Sequence, residues 1–296
     1  MTNTPETRAT AGLPDLLTWR TTAGEWTLDF TRPLIMSIIN LTPDSFSDGG
    51  RFGGPDEAVE AALAEETDGA DIFDLGAEST RPGSARVSEA DEWARLEPVL
   101  RGLAARSRRP ISIDTYKTAV AEKAIAAGAA IINDIYAGRR EPRLLETAAA
   151  AGVPVILMHM KGDPDNMQKN PHYDDVVQEV RDFLLERAQA AEAAGIPRER
   201  IILDPGLGFG KNIDHNLSLM KHFDEAVPAG YRRLMALSRK NFLGLLMDGA
   251  PPAERDGLTA VAGVMSLMRG ADILRVHKAR PSRDAVRLAR AVAEAA

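Results

Sequence analysis

PISIDTYKTAVAEKAIAAGAAIINDI (110–135) holds the pattern that decides the fold. A short isoleucine-rich run ends in Asp114, and an alanine-rich stretch follows with apolar residues three and four apart. Gly128 breaks that stretch, and a second apolar run ends in Asn133 and Asp134. The order reads strand, helix, strand. Outward from here the unit recurs as LIMSIIN (34–40), DIFDLGAEST (71–80), PVILMHM (154–160), RIILDPG (200–206), RLMALSRK (233–240) and ILRVHK (273–278), making eight apolar runs with polar ends. Stretches such as PDEAVEAALAEETDGA and GLTAVAGVMSLMRGA lie between them with helical spacing. Near-continuous Ile/Leu/Val runs suit strands buried on both faces, and strand–helix alternation implies a parallel sheet. Eight units in 296 residues, with no Pro/Gly/Ser-rich linker, predict one α/β domain, a closed (β/α)8 TIM barrel over 31–296.

Several helices are expected to end at a glycine just before the next strand, because glycine tolerates the left-handed conformation that closes a helix. Gly69, Gly128, Gly152 and Gly270 hold that position. Residues 1–30 fall outside the eight units as a short, partly flexible N-terminal extension, in which GEWTLDF (24–30) is expected to form a small strand under the barrel. Two connections lack helical spacing: NLTPDSFSDGGRFGG after the first strand and GAESTRPGSARVS after the second. Both follow a strand's carboxyl end, where barrel active sites form, and read as catalytic loops.

Composition narrows the chemistry. There is no Cys, so disulfides, thiolate catalysis and cysteine-ligated metals are excluded, as suits a reducing compartment. The first residues show neither a basic region nor an apolar one, and the expected location is the cytoplasm. No apolar run approaches the length of a membrane span. A formal net charge of −7 argues against a nucleic-acid partner while leaving room for a local basic pocket for a small anion.

The strand ends carry the informative residues: Asn40, Glu78 to Arg81, Asp114, Asn133, His159, Asp204, Ser238 with Lys240, and Arg275 with His277. One such residue could simply cap a helix. Polar groups at every strand end of one rim point instead to a site. Asp114, Asn133, Asp204 and Lys240 can satisfy a flat heterocycle bearing donors and acceptors, since a carboxylate facing an amino-lactam edge accepts two N–H bonds at once. Asn40, Arg275 and His277 come from the first and last strands, which adjoin in a closed barrel, and suit a phosphate group. No HxxH or HExxH pattern is present, so any divalent ion is expected as Mg²⁺ arriving with phosphates.

DPGLGFGK (204–211) is neither a Walker loop nor a GxGxxG motif. Its glycines are expected to bend the backbone tightly beside a ligand, with Phe209 as a wall or as core packing. Met158 and Met160 carry the same two readings, and His159 between them is expected to be structural. The Arg-rich end (Arg280, Arg283, Arg287, Arg290) reads as a solvated helix face.

Taken together, NLTPDSFSDGG (40–50), GAESTRPG (76–83), IDT (113–115), IND (132–134), LMHMKGDPDNMQ (157–168), LDPGLGFGKN (203–212), SRK (238–240) and RVH (275–277) resemble, in order, the motifs of the dihydropteroate synthase family of pterin-binding enzymes. The resemblance implies condensation of 6-hydroxymethyl-7,8-dihydropterin diphosphate with p-aminobenzoate in folate biosynthesis. By motif it assigns the pterin to Asp114, Asn133, Met158, Asp204, Phe209, Lys240 and Arg275, and p-aminobenzoate to Thr80, Arg81, Pro82, Phe209, Ser238 and Lys240. The diphosphate falls to Asn40, Thr80, Arg275 and His277, and Mg²⁺ to Asn40. Chemistry is implied for Asn40, Asp114, Lys240, Arg275 and His277. It further implies a homodimer and competitive inhibition by sulfonamides.

Two positions depart from the family's usual pattern: Ala236 before SRK and Lys278 after RVH. Lys278 is expected to add a cation beside the diphosphate. The competing readings are a folate-dependent corrinoid methyltransferase, which would share the pterin pocket but has no use for a diphosphate clamp, and a pterin-binding paralogue without synthase activity.

Overall fold

The computed structural model describes residues 12–42, 53–79 and 86–295. In chain order the hairpin strands are β1 (Leu16–Thr21) and β2 (Gly24–Asp29), and the barrel strands are β3 (Leu34–Asn40), β4 (Ile72–Gly76), β5 (Ile111–Asp114), β6 (Ile131–Asp134), β7 (Val155–Met158), β8 (Ile201–Asp204), β9 (Arg232–Met235) and β10 (Ile273–Val276). The last eight close into a barrel in the order β10-β3-β4-β5-β6-β7-β8-β9, all neighbours parallel. Helices α1 (Pro55–Thr67), α2 (Glu89–Arg106), α3 (Thr118–Ala126), α4 (Arg143–Ala151), α5 (Val176–Ala193), α6 (Ile213–Lys221), α7 (Phe223–Ala226), α8 (Asn241–Leu245), α9 (Asp256–Leu267) and α10 (Ala279–Glu294) lie between and after the strands. This is the (β/α)8 barrel that the alternation requires.

The helices end where the glycines were expected to end them. Gly152 caps α4 in the left-handed conformation, and Gly128, at φ 117°, leads from α3 toward β6. Ser88 begins α2 by accepting from the N–H of Asp91, and Asp175 begins α5 by accepting from Val177 and Gln178.

Side chains alternate along each strand, so one set lines the barrel. At the lower end that set is mostly apolar: Met36, Ile72, Ile131, Ile156, Ile202, Leu234 and Ile273 form one buried cluster with Leu17, Trp19, Leu28 and Phe30 of the β1–β2 hairpin and its flank, and the buried Arg232 guanidinium lies over the Phe30 ring. The GEWTLDF segment is therefore one arm of a hairpin beneath the barrel, and Trp19 Nε1 donates to the Ala130 carbonyl at 2.9 Å. Outside the barrel a larger cluster packs strands against helices. The Arg-rich terminus is not uniformly solvated: Arg283 is largely covered and lies 3.8 Å from buried Asp71, which also takes a fork of hydrogen bonds from Arg32.

Candidate active site

Register places the polar residues at one mouth. Asn40, Gly76, Asp114 and Asn133 are consecutive cross-strand partners on β3, β4, β5 and β6, and Met158 pairs with Asp204 across β7 and β8. Gly76 brings no side chain to that layer between Asn40 and Asp114.

One layer deeper stands Asp74, which was not among the expected site residues. It is fully buried, yet it accepts from Arg275 Nε at 2.6 Å and from Asn133 Nδ2 at 3.2 Å. Arg275 also donates from Nη2 to Asp114 at 2.8 Å. Thus β4, β5, β6 and β10 are joined across the barrel by one guanidinium and two carboxylates. The second oxygen of Asp74, Oδ1, is buried with no hydrogen-bond partner among the described residues, a donor-seeking atom in the floor of the mouth. Its sequence signal was parity: Asp74 shares the inward face with Gly76 and is the charge inside an otherwise apolar run.

Electrostatics follow from this burial. Burial pushes the Asp114 carboxyl up to about 7 despite the Arg275 charge beside it. Asp204 is raised for the same reason, with Lys240 and a 2.7 Å hydrogen bond from Gly206 N–H opposing the shift. The Lys240 ammonium is lowered by burial to about 8, although Asp204 favours its charge. Burial also works against Arg275, but Asp74 and Asp114 outweigh it and hold the guanidinium above its ordinary value. A mouth with two carboxyls raised and an amine lowered is far more poised than a surface cluster would be.

The DPGLGFGK segment bends as its glycines require. Gly206, Gly208 and Gly210 all have positive φ. What forces this is backbone rather than ligand, because a Cβ at Gly206 would collide with the His159 carbonyl oxygen and one at Gly210 with that of Lys161. Lys211, a residue that sequence reasoning considered only as a phosphate-loop lysine, is buried beneath the bend. Its Nζ lies within hydrogen-bond distance of His159 Nδ1 (2.9 Å) and donates to the carbonyls of Gly206 (2.9 Å) and Phe209 (3.0 Å). His159 packs on Phe183 and Tyr173, and burial with Lys211 keeps its ring neutral, the structural role expected of it. The bend sets partly buried Phe209 against the cluster of Met158, Met160, Ile135 and Tyr136, so both Phe209 and Met158 take part in core packing.

Lys240 Nζ donates to the Leu207 carbonyl and stands 4.5 Å from the Phe209 ring centre. Ser238 Oγ accepts from the His277 N–H at 3.1 Å and lies 3.0 Å from its Nδ1, joining β9 to β10 at the rim. Thr80, Arg81 and Pro82 lie outside the described residues. Their flank is anchored by Lys117, whose Nζ bridges Glu78 and buried Glu92 and donates to the Val87 carbonyl at 2.8 Å. A cleft lined by Asp114, Glu78, Arg86, Tyr116 and Tyr136 opens beside that anchor. Lys278 does not stand as an extra cation over the mouth, because it is paired at 2.7 Å with buried Glu65, which also accepts from the Ala279 N–H.

The family model described as "Pterin binding enzyme" matches residues 36–277. The dihydropteroate synthase of Escherichia coli K12 is 44% identical over 268 residues, 90% of this chain and 94% of its own length, and that of Neisseria meningitidis serogroup C is 44% identical over 271 residues with the same coverage. Among solved structures, Yersinia pestis dihydropteroate synthase in complex with a sulfonamide drug superimposes with a TM-score of 0.87 at 41% identity, covering 94% of this chain and all of that one. Xanthomonas albilineans dihydropteroate synthase does so with 4-aminobenzoic acid (TM-score 0.85, 42% identity) and with 7,8-dihydropteroate (0.82, 40%), covering 91% of this chain in each case and 96% and 97% of theirs. A match over nearly the whole barrel, with relatives of this identity and length, means that the chain belongs to the dihydropteroate synthases of the pterin-binding enzyme family.

Proposed function

We propose that this chain joins 6-hydroxymethyl-7,8-dihydropterin diphosphate to p-aminobenzoate, releasing diphosphate and 7,8-dihydropteroate for folate biosynthesis. The observation that carries the reading is the convergence of Asp114, Asn133, Asp204, Lys240 and Arg275 at one mouth with a Met158–Phe209 wall beside them. A pterin edge-on to the carboxylates gives each N–H an acceptor, and the unpartnered Asp74 Oδ1 offers one more. Phe209 and Met158 take its apolar faces.

An arylamine is unprotonated at neutral pH, so no strong base is needed. The harder step is departure of diphosphate, as the bond between the methylene carbon and its bridging oxygen breaks. Arg275 and His277, with Asn40, are assigned to the departing oxyanion, while the dihydropterin delocalises positive charge on the methylene. The amine nitrogen then bonds to that carbon and releases its proton to water or diphosphate, an SN1-like course. Lys240, between the two substrates, orients both, and Thr80, Arg81, Pro82 and Ser238 are assigned to p-aminobenzoate. Sulfonamides are proposed to compete for that subsite, since the Yersinia pestis relative binds one.

Among the described residues no cluster of three or more His, Asp or Glu could cage a metal ion. We propose that Mg²⁺ enters with the diphosphate, whose oxygens and water supply most of its ligands, with the half-buried Asn40 amide oxygen as protein ligand. When bound, such an ion supplies charge neutralisation on the departing diphosphate.

A homodimer is proposed from one further feature. Val261 and Met265 on α9 and Met268 just past its end, with Leu288 and Val292 on α10, are each more than half exposed on two neighbouring helices. Among the described residues no helix is long and apolar enough to cross a membrane. We assign the reaction to the cytoplasm, with which the cysteine-free composition agrees.

Diphosphate release by the purified chain with Mg²⁺ and the pterin diphosphate tests the reading. Release that requires p-aminobenzoate is the expected result; pterin binding without release would transfer the assignment to the corrinoid methyltransferase or to a silent paralogue. Lys240→Ala is expected to weaken both substrates, which paired titrations would measure.

A further inference from the structure

In the run Ser238-Arg239-Lys240, the outer two residues face the mouth and the middle one has no role in the reading above. Arg239 is also one of four non-glycine residues among those described with a positive φ, at 57°. A left-handed arginine persists only where its surroundings over-determine it. Here they do. Its guanidinium turns away from the mouth and forms a two-pronged pair with Asp256, the first residue of α9 (Nε to Oδ1 2.7 Å, Nη2 to Oδ2 2.6 Å). Its N–H donates to Thr259 Oγ at 3.2 Å, one turn further along α9. Its carbonyl accepts from Arg255 Nη1 at 3.0 Å, and the same nitrogen reaches the Lys240 carbonyl and Asn241 Oδ1 at 3.3 Å. Buried Arg255 is anchored in turn on the Ala250 carbonyl, and its guanidinium occupies the space that a side chain at residue 244 would need. Thus the side chain, N–H and carbonyl of Arg239 are all held by residues 255–259.

We propose that Arg239 is a positioning residue, locked by Arg255, Asp256 and Thr259 into the left-handed turn that presents Ser238 and Lys240 to the arylamine substrate. The inference rests on the proposed reaction. A left-handed residue reverses the chain locally, and this turn carries Ser238 to His277 and Lys240 to the Phe209 ring. With the fork broken, the turn is free to relax toward a right-handed conformation that moves both side chains. Deformation there falls first on p-aminobenzoate, which both side chains are assigned to hold, and to a smaller extent on the pterin diphosphate through Lys240 and His277.

Wild type, Arg239→Ala, Arg239→Gly and Asp256→Asn are to be compared in steady-state kinetics with both substrates, after thermal melting has shown each to be folded at the assay temperature. Arg239→Ala is expected to raise KM for p-aminobenzoate at least tenfold, with kcat and the KM for the pterin diphosphate changed less. Arg239→Gly, free to adopt the left-handed turn, should recover most of that loss. Asp256→Asn, which keeps size and weakens the fork, should raise KM severalfold and remains the decisive variant if the alanine form does not fold. A KM within twofold of wild type in Asp256→Asn and in every folded Arg239 variant would overturn the proposal, as would a glycine form as impaired as the alanine form. Wild type without turnover would instead overturn the reaction itself.

Discussion

The two ends of this barrel treat polar groups in opposite ways. At the bottom the hairpin presses Leu17, Trp19, Leu28 and Phe30 onto a mostly apolar layer of strand residues, where buried Arg232 lies over the Phe30 ring, and the Trp19 indole N–H finds a carbonyl. At the top, within a few residues along the same strands, Asp74, Asp114, Asp204, Lys240 and Arg275 are crowded together, and burial holds Asp114 and Lys240 near 7 and 8. The lower end is built like a domain core. The upper end gives up stability to keep charges dehydrated, which is the expense of a site that must grip a polar heterocycle and an anion.

Arg275→Met should have the largest effect, because it strips the shared cation from Asp74 and Asp114 at once. Breaking a buried pair by removing one partner costs roughly 3–5 kcal/mol, and turnover should fall by several orders of magnitude. Melting and diphosphate release measure both, and a stable, active variant would dissolve the contrast. Trp19→Ala sharpens it from the other side: loss of a buried tryptophan costs about 3–5 kcal/mol, with kcat and KM little changed where the variant stays folded.

A smaller, pH-dependent effect comes from Asp114. Its folded-state pKa of about 7 lies above the unfolded value, so the folded chain keeps a proton that the unfolded chain releases near pH 4. Stability from this group is therefore full below about pH 4 and is lost as pH rises through 7, by at most about 4 kcal/mol. Asp114→Asn should melt higher than wild type at pH 8, an advantage that disappears near pH 4.5, while losing pterin affinity. The same two groups predict a bell-shaped kcat/KM, rising as Asp114 ionises near 7 and falling as Lys240 loses its proton near 8. Smallest for activity is Lys278→Ala, since its half-exposed ammonium is engaged with Glu65; inhibition by added diphosphate should change less than twofold, while stability should fall because buried Glu65 keeps the Ala279 N–H but loses its cation.

The barrel and most of the mouth were legible because strand ends break an apolar run with a polar residue, and that signal needs no partner to be seen. Asp74 escaped because it sits inside a strand, where only inward parity with Gly76 marks it. Lys211 escaped because a lysine after glycines invites comparison with phosphate loops, whereas this one stitches the bend that carries Phe209. The pairing of Lys278 with Glu65, and of Arg239 with Asp256, belongs to three-dimensional packing: nothing local in either sequence stretch names the partner. In each case a charge that reads as free in the chain is engaged in the fold.

The contrast between the two ends is tested most directly by measuring kcat/KM for the pterin diphosphate in Asp204→Asn and Trp19→Ala side by side, at a temperature where melting shows both folded. The account predicts a loss of at least a hundredfold in Asp204→Asn and a change within twofold in Trp19→Ala. Near-wild-type turnover in Asp204→Asn, or a comparable loss in folded Trp19→Ala, would contradict it.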